Sequence, residues 1–113
     1  MDKNKMLIAV PTDNGKTIFE KMLGMAKYFN IYRINIKDNK FKFVEKRINP
    51  YQQTQQHLKT LDVYRIINDC PLILATHVGK KGIERLKNRD VELFFDKGNI
   101  EQALNNIGFN KDN

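Results

Sequence analysis

Two short apolar runs constrain the fold of this 113-residue chain more than any other feature. Residues 7–10 form an unbroken apolar run that ends at Pro11, and residues 72–75 form a second run directly after Pro71. A strand without polar alternation has no face suited to water, so other elements must cover both of its faces. The two runs therefore predict central strands of a parallel sheet with helices on both faces.

Periodicity and turn residues predict the remaining elements. Aromatic and β-branched residues indicate two further strands, joined by an Asp-Asn turn into a hairpin. Apolar residues at helical spacing indicate the helices. The predicted order is strand 7–10, short helix 18–26, strands 28–36 and 41–48, helix 57–69, strand 72–75, helix 79–87, strand 91–95 and a final helix over 99–107. We expect one α/β domain over residues 1–113, its core spanning about 6–108, built on a five-stranded mixed sheet.

Composition narrows the function classes. A single cysteine, Cys70, excludes an internal disulfide and a four-cysteine zinc site. No apolar stretch is long enough to span a bilayer, and the run at 6–10 is too short for a signal peptide, so we expect a cytoplasmic protein without membrane association. The net charge of +7 favours anionic partners. Because the lysines are spread along the chain, we argue against nucleic-acid binding.

Connectivity sorts the loops between the two ends of the predicted sheet. In open α/β sheets, ligands bind at the carboxyl ends of the parallel strands. If the first strand points towards that end, four loops lie there. They are the loops that follow the first strand, the hairpin, the strand 72–75 and the strand 91–95. Those loops carry Asp13, Met22, Met25, His57, His77, Gly79 and Lys80. The same connectivity places Cys70 at the opposite end, where we expect a buried, unreactive thiol.

The candidate ligands at this end allow more than one interpretation. His77 and His57 are candidate metal ligands, because imidazole suits iron and copper as well as zinc; His57 also fits a solvated helix start, which we favour. Met22 and Met25 are spaced for a soft-metal site or for core filling, and we favour the latter.

Two more features bear on chemistry. Gly79, Lys80 and Lys81 open a predicted helix, and their backbone N–H and ammonium groups suit an anion. Exposed lysines at a helix start explain the same residues equally well.

The first predicted strand carries no carboxylate, and Asp13 alone does not make a magnesium site of the nuclease type. Since no hydrolase triad is recognisable either, we expect a protein that is not an enzyme.

The ordered set of short motifs resembles the dinitrogenase iron–molybdenum cofactor biosynthesis family over nearly the whole chain. The residues that carry the resemblance are 8–12, Gly24, Ala26, Tyr28, Phe29, Asn49, Pro50, Ala75, Gly79, Gly98, Ala103 and Leu104. The resemblance implies a ribonuclease-H-like motif and a nitrogen-fixation accessory factor that binds or carries an iron–sulfur or iron–molybdenum cluster, or its precursor, without turnover. It also implies cofactor-assembly or nitrogenase-related partners, and it leaves the oligomeric state open.

The chain departs from the family pattern at two places. Residues 22–26 are Met-Leu-Gly-Met-Ala where the family often has His-Phe-Gly-Arg-Ala, and the loop before the middle helix is rich in glutamine instead of histidine and glycine. We therefore expect cluster-binding residues among Met22, Met25, His77, Gly79, Lys80 and Lys81, with His57 and His77 as metal ligands. The alternative is a module without any metal cofactor that recognises an anionic ligand or a partner protein.

Overall fold

The computed structural model describes residues 5–51 and 63–107. In chain order, its elements are β1 (Lys5–Thr12), a 3₁₀ helix (Leu23–Met25), β2 (Tyr28–Asn35), β3 (Lys40–Ile48), β4 (Leu72–Ala75), α1 (Lys80–Lys87), β5 (Glu92–Phe95) and α2 (Ile100–Asn106). Each predicted strand is present, with ends shifted by a few residues at most.

The described strands form one mixed sheet in the order β3-β2-β1-β4-β5. β2 is antiparallel to both β1 and β3, whereas β4 is parallel to both β1 and β5. This topology confirms the predicted hairpin and the predicted parallel strands. The likeness of this sheet to a ribonuclease-H motif remains a prediction.

Helices cover both faces of the sheet, as the two apolar runs required. Along β1, Ile8 and Val10 join a buried cluster with Ile100 and Leu104 of α2. Ala9 points to the other face, where it joins a cluster with Leu86 of α1. Because successive residues of a strand alternate between faces, an unbroken apolar run is what a strand buried on both sides needs.

The predicted helix over 18–26 is wrong for most of its length. Only one 3₁₀ turn forms, at Leu23–Met25. The backbone N–H groups of Ile18 and Phe19 instead donate to the carbonyls of Gly98 and Pro11, both at 2.8 Å. These tertiary hydrogen bonds replace the helical ones, so local spacing alone did not decide the conformation.

The predicted helix over 57–69 lies partly outside the described residues, which resume at Val63. From there the chain makes successive three-residue turns, in which N–H groups donate to the carbonyl three positions earlier: Ile66 to Val63, Ile67 to Tyr64 and Cys70 to Ile67. These turns bring Val63, Ile67 and Cys70 into the buried cluster that includes Leu86.

Candidate functional site

The three parallel strands end at one side of the molecule, where residues 13–27, 76–81 and 96–99 form what we call the carboxyl-end surface. Thr12, the last residue of β1, starts the first segment. Its hydroxyl donates to the carbonyl of Thr17 at 2.6 Å and accepts from the N–H of Gly15 at 2.9 Å. This fixed turn sends the chain across the ends of the neighbouring strands.

The segment after the turn contacts the loops that follow β5 and β4 in succession. Ile100 N–H donates to the carbonyl of Lys16 at 2.9 Å, and Ile18 N–H donates to Gly98. Further on, Leu23 N–H donates to the carbonyl of His77 at 3.1 Å. Connectivity predicts that the loops after β1, β4 and β5 lie at one end of the sheet, and the structure shows that hydrogen bonds join them.

Met22, His77 and Gly79 come together within this surface. Met22 forms an isolated parallel bridge with His77, so their side chains lie on the same side of the paired backbones. A Cβ atom at Gly79 would lie 3.1 Å from the Cε methyl of Met22, so the Met22 side chain occupies the space beside this glycine. The φ angle of Gly79, −63°, suits any residue, and its small size is therefore what matters here.

The two methionines are accessible to solvent, which makes the core-filler interpretation wrong. Met22 is 45% exposed and Met25 is 46% exposed. Met25 N–H donates to the carbonyl of Met22 at 3.0 Å, which places both at the single 3₁₀ turn. The exposed part of each thioether side chain is accessible to a partner or a soft metal.

A buried asparagine holds the methionine turn in place. The side-chain amide of Asn49 donates to the carbonyls of Gly24 at 2.9 Å and Ala26 at 2.7 Å. The backbone N–H of Asn49 donates to the carbonyl of Lys27 at 3.0 Å. Lys27 N–H in turn donates to a carboxylate oxygen of Asp13 at 2.8 Å. Asn49 and Pro50 are part of the family resemblance, but no pattern in the sequence indicates this clamp.

The carboxyl-end surface is predominantly positive. Lys80 and Lys81 are exposed at the start of α1, as predicted. Other exposed lysines on the same surface are Lys16, Lys21, Lys27 and Lys97, against the carboxylates of Asp13, Glu20 and Asp96. The lysines outnumber these carboxylates, so the surface has a surplus of positive charge.

A shallow cleft of about 580 Å³ adjoins the methionine turn. Its lining includes Phe19, Lys21, Met25 and Lys27. Sequence reasoning missed Phe19 and the two lysines, because the segment was expected to be a helix and its outward face was not assigned. The cleft extends the surface that a ligand bound near Met22 and His77 would meet.

The donor set favours soft and borderline metals. Among residues 5–51 and 63–107, no three histidine, cysteine or acidic side chains are grouped as they would be in a conventional metal site. His77 is exposed, whereas His57 lies outside the described residues. The donors that lie together on this surface are the imidazole of His77 and the thioether of Met22, and they fit a metal–sulfur species better than magnesium or calcium.

Cys70 lies at the amino end of β4, opposite the carboxyl-end surface. It is buried, and burial raises the pKa of its thiol to about 12. The neighbouring Asp69 carboxylate adds to this effect. The thiolate form that binds metals is thus strongly disfavoured at neutral pH, which agrees with the predicted unreactive thiol.

Comparison with known proteins identifies the family. The sequence model of the family described as dinitrogenase iron–molybdenum cofactor matches residues 4–108. The chain belongs to this family. Membership confirms the resemblance drawn from the short motifs and indicates involvement in the binding or biosynthesis of the iron–molybdenum cofactor. None of the curated proteins matches the sequence significantly.

Solved structures share the fold of this family member. The crystal structure of the protein PH0822 has a TM-score of 0.70 at 20% identity, covering 88% of this chain and 86% of that one. The apo form of the orange protein from Desulfovibrio gigas has a TM-score of 0.66 at 17% identity, covering 88% and 83%. A protein of Methanocaldococcus jannaschii, provisionally assigned as a dinitrogenase, has a TM-score of 0.63 at 18% identity, covering 89% and 86%.

Within the described residues, no helix is both long and apolar enough to cross a membrane.

Proposed function

We propose that this family member binds an iron–sulfur or iron–molybdenum cluster, or its precursor, as cargo on the carboxyl-end surface. The observation that carries the proposal is the exposure of Met22 beside His77, with the exposed Met25 on the same 3₁₀ turn and a surface rich in lysine around them. An exposed thioether held beside an imidazole, with ammonium groups nearby, suits a ligand that is both soft and negatively charged. Family membership supplies the chemical class of that ligand.

Each group has a distinct proposed role. The imidazole of His77 would ligate a metal atom of the cargo, and the thioethers of Met22 and Met25 would contact its soft, sulfur-rich part. Lys80 and Lys81, with the backbone N–H groups at the start of α1, would balance its negative charge. Gly79 leaves room for Met22 beside the helix start, so replacing it would move a proposed ligand.

We also propose that the cargo leaves chemically unchanged, so the protein is an accessory factor and not an enzyme. The Cys70 thiol is buried with a raised pKa, which suits neither nucleophile nor ligand. Cofactor-assembly or nitrogenase-related proteins of the cytoplasm would then be the partners that deliver and receive the cargo. Family membership supports these proposed roles.

The proposal is tested by anaerobic binding of isolated iron–molybdenum cofactor, with iron, molybdenum and copper analysis of the anaerobically purified protein. We expect His77→Ala and Met22→Leu to weaken binding by roughly tenfold or more, as loss of a metal contact should. Lys80→Ala should weaken it less, and in a salt-dependent way. Matched controls are Met6→Leu and Lys87→Ala, at the far end of β1 and α1 respectively. Unchanged affinity in His77→Ala and Met22→Leu would contradict the proposal.

The second candidate is a module without metal that recognises a simple anion or an acidic partner at the same surface. The surplus of lysines favours it, since this surface carries six exposed lysines and three carboxylates. The same variants separate the two candidates. For an anion such as molybdate or phosphate, Lys80→Ala should cost more affinity than His77→Ala, and the metal analysis should show no bound iron, molybdenum or copper.

A further inference from the structure

The outer strand β3 forms one edge of the described sheet. It pairs with β2 on one side, and no described strand covers its other side. Its side chains are largely exposed, including Phe43 at 51% and Ile48 at 68%. Such an edge strand offers unpaired backbone N–H and C=O groups to a further strand.

One half of this edge has a regular division of charge. Phe41 and Phe43 pair with Ile34 and Tyr32 of β2, which belong to the face covered by α2. By alternation, Lys40 and Lys42 lie on the opposite face. The pairing then shifts, because Tyr32 pairs with Phe43 while Ile31 pairs with Glu45, so the residue between them bulges out. The bulge limits the regular edge to residues 40–43.

We infer that the 40–43 edge is a docking site for an extended segment of a partner protein in which acidic and apolar residues alternate. The segment would add to the sheet beside β3 through backbone hydrogen bonds. Its acidic side chains would face Lys40 and Lys42, and its apolar side chains would face Phe41 and Phe43.

Positive charge exceeds negative charge around this edge among the described residues. Arg33 of β2 pairs with Lys42 and adds to the positive face. The nearby carboxylate of Glu45 is held by Arg47 at 2.8 Å, and that of Asp38 accepts the backbone N–H of Lys40 at 3.1 Å. Among the described residues the three cations Lys40, Lys42 and Arg33 therefore outnumber the nearby carboxylates that lack an arginine partner, and charge complementarity favours an acidic occupant.

Two other occupants fit less well. A second copy would bring the lysines of one β3 against those of the other, and like charges across paired strands are destabilising. Nucleic acid needs open aromatic faces for base stacking. Here the Lys46 ammonium lies over the Tyr28 ring at 4.3 Å, and the Tyr32 ring packs edge-to-face against Phe41 and Phe43.

The test measures binding of the full chain to a short fluorescein-labelled peptide of alternating Glu and Val, by fluorescence anisotropy. We expect the double variant Lys40→Glu/Lys42→Glu to bind this peptide roughly tenfold more weakly and to prefer a Lys/Val peptide instead. The matched control Lys80→Glu/Lys81→Glu, on another surface, should keep the wild-type affinity. Hydrogen exchange should slow at the β3 amides when the peptide is bound.

A third variant keeps the proposal falsifiable if the charge reversal disturbs folding. Phe43→Thr retains strand propensity and should also weaken peptide binding, because it removes an apolar contact. Equal peptide affinity in wild type and Phe43→Thr would overturn the inference. So would tighter binding of oligothymidine than of the Glu/Val peptide, or a dimer of the wild-type chain that dissociates in the Lys40→Glu/Lys42→Glu variant.

Discussion

At the scale of single residues, Asn49 shows how a buried polar group can position an exposed one. It is fully buried, and its amide holds the carbonyls of Gly24 and Ala26 on the methionine turn. Its side-chain oxygen also accepts from the N–H of Tyr51 at 3.0 Å. A fully buried residue therefore fixes the position of the surface methionines.

We predict that Asn49→Ala destabilises the protein by about 2–3 kcal/mol, because it leaves buried carbonyl groups without their donors. Urea unfolding measures this loss. Hydrogen exchange should quicken at residues 22–27 before the rest of the sheet is affected. Asn105→Ala, an exposed position in α2, is the control and should change stability by less than about 0.5 kcal/mol. A stable Asn49→Ala protein with unaltered exchange in the methionine turn would refute the clamp.

The exposure of the two methionines and the contact between Gly79 and Met22 could not be predicted from the sequence. A pair of methionines at helical spacing has the same pattern whether it is buried or exposed, so the pair was assigned to the core. The fit of Gly79 to Met22 depends on two segments that are far apart in sequence. Nothing in either segment alone signals that contact, whereas His77 and the lysines of α1 could be placed by connectivity.

At the scale of elements, the strands were predictable because burial on both faces imposes an apolar run and burial on one face imposes alternation. The last helix was predictable from its cap, since the side chain of Asn99 accepts from Gln102 N–H at 2.9 Å. The 18–26 segment was not, because its N–H groups bond to loops brought near by the sheet. Long-range partners of that kind leave no local pattern.

One ion pair joins two elements and has a predictable pH dependence. Arg47 of β3 contacts both carboxylate oxygens of Asp69, at 2.7 and 2.8 Å, and also donates to the carbonyl of Ile66. The hydrogen bonds from Arg47 lower the pKa of Asp69 from 3.8 to about 2. The pair thus links the edge strand to the turns before Cys70.

We predict that Asp69→Asn costs up to about 1 kcal/mol at pH 7, a modest value because the Asp69 side chain is 49% exposed and solvent screens the pair. A carboxyl group whose pKa is lower in the folded state stabilises it above the unfolded pKa, near 3.8 here, and loses that effect as pH falls towards 2. Urea unfolding of wild type and variant should therefore differ at pH 7 and converge near pH 2. Glu84→Gln, in α1, serves as control; a difference independent of pH would exclude the ionised pair as its cause.

At the scale of the whole molecule, the question is whether net charge or local charge attracts the proposed cargo. The chain carries +7 and is 44 Å long. Salt at physiological strength screens exposed charges beyond about 8 Å. Lysines at the far end of the molecule are thus too distant to act on a ligand at the carboxyl-end surface, although they contribute equally to the net charge.

Two double variants of equal net charge separate these effects. Lys80→Ala/Lys81→Ala removes charge at the carboxyl-end surface, and Lys5→Ala/Lys87→Ala removes it at the start of β1 and the end of α1; both reduce +7 by two, to +5. We predict that anaerobic stopped-flow association with isolated iron–molybdenum cofactor slows several-fold in the first variant and barely changes in the second. Raising the salt concentration should slow wild type and bring its rate down towards that of the first variant. Equal slowing in both variants would mean that the overall charge governs the encounter, and the lysines of α1 would then lose their proposed role.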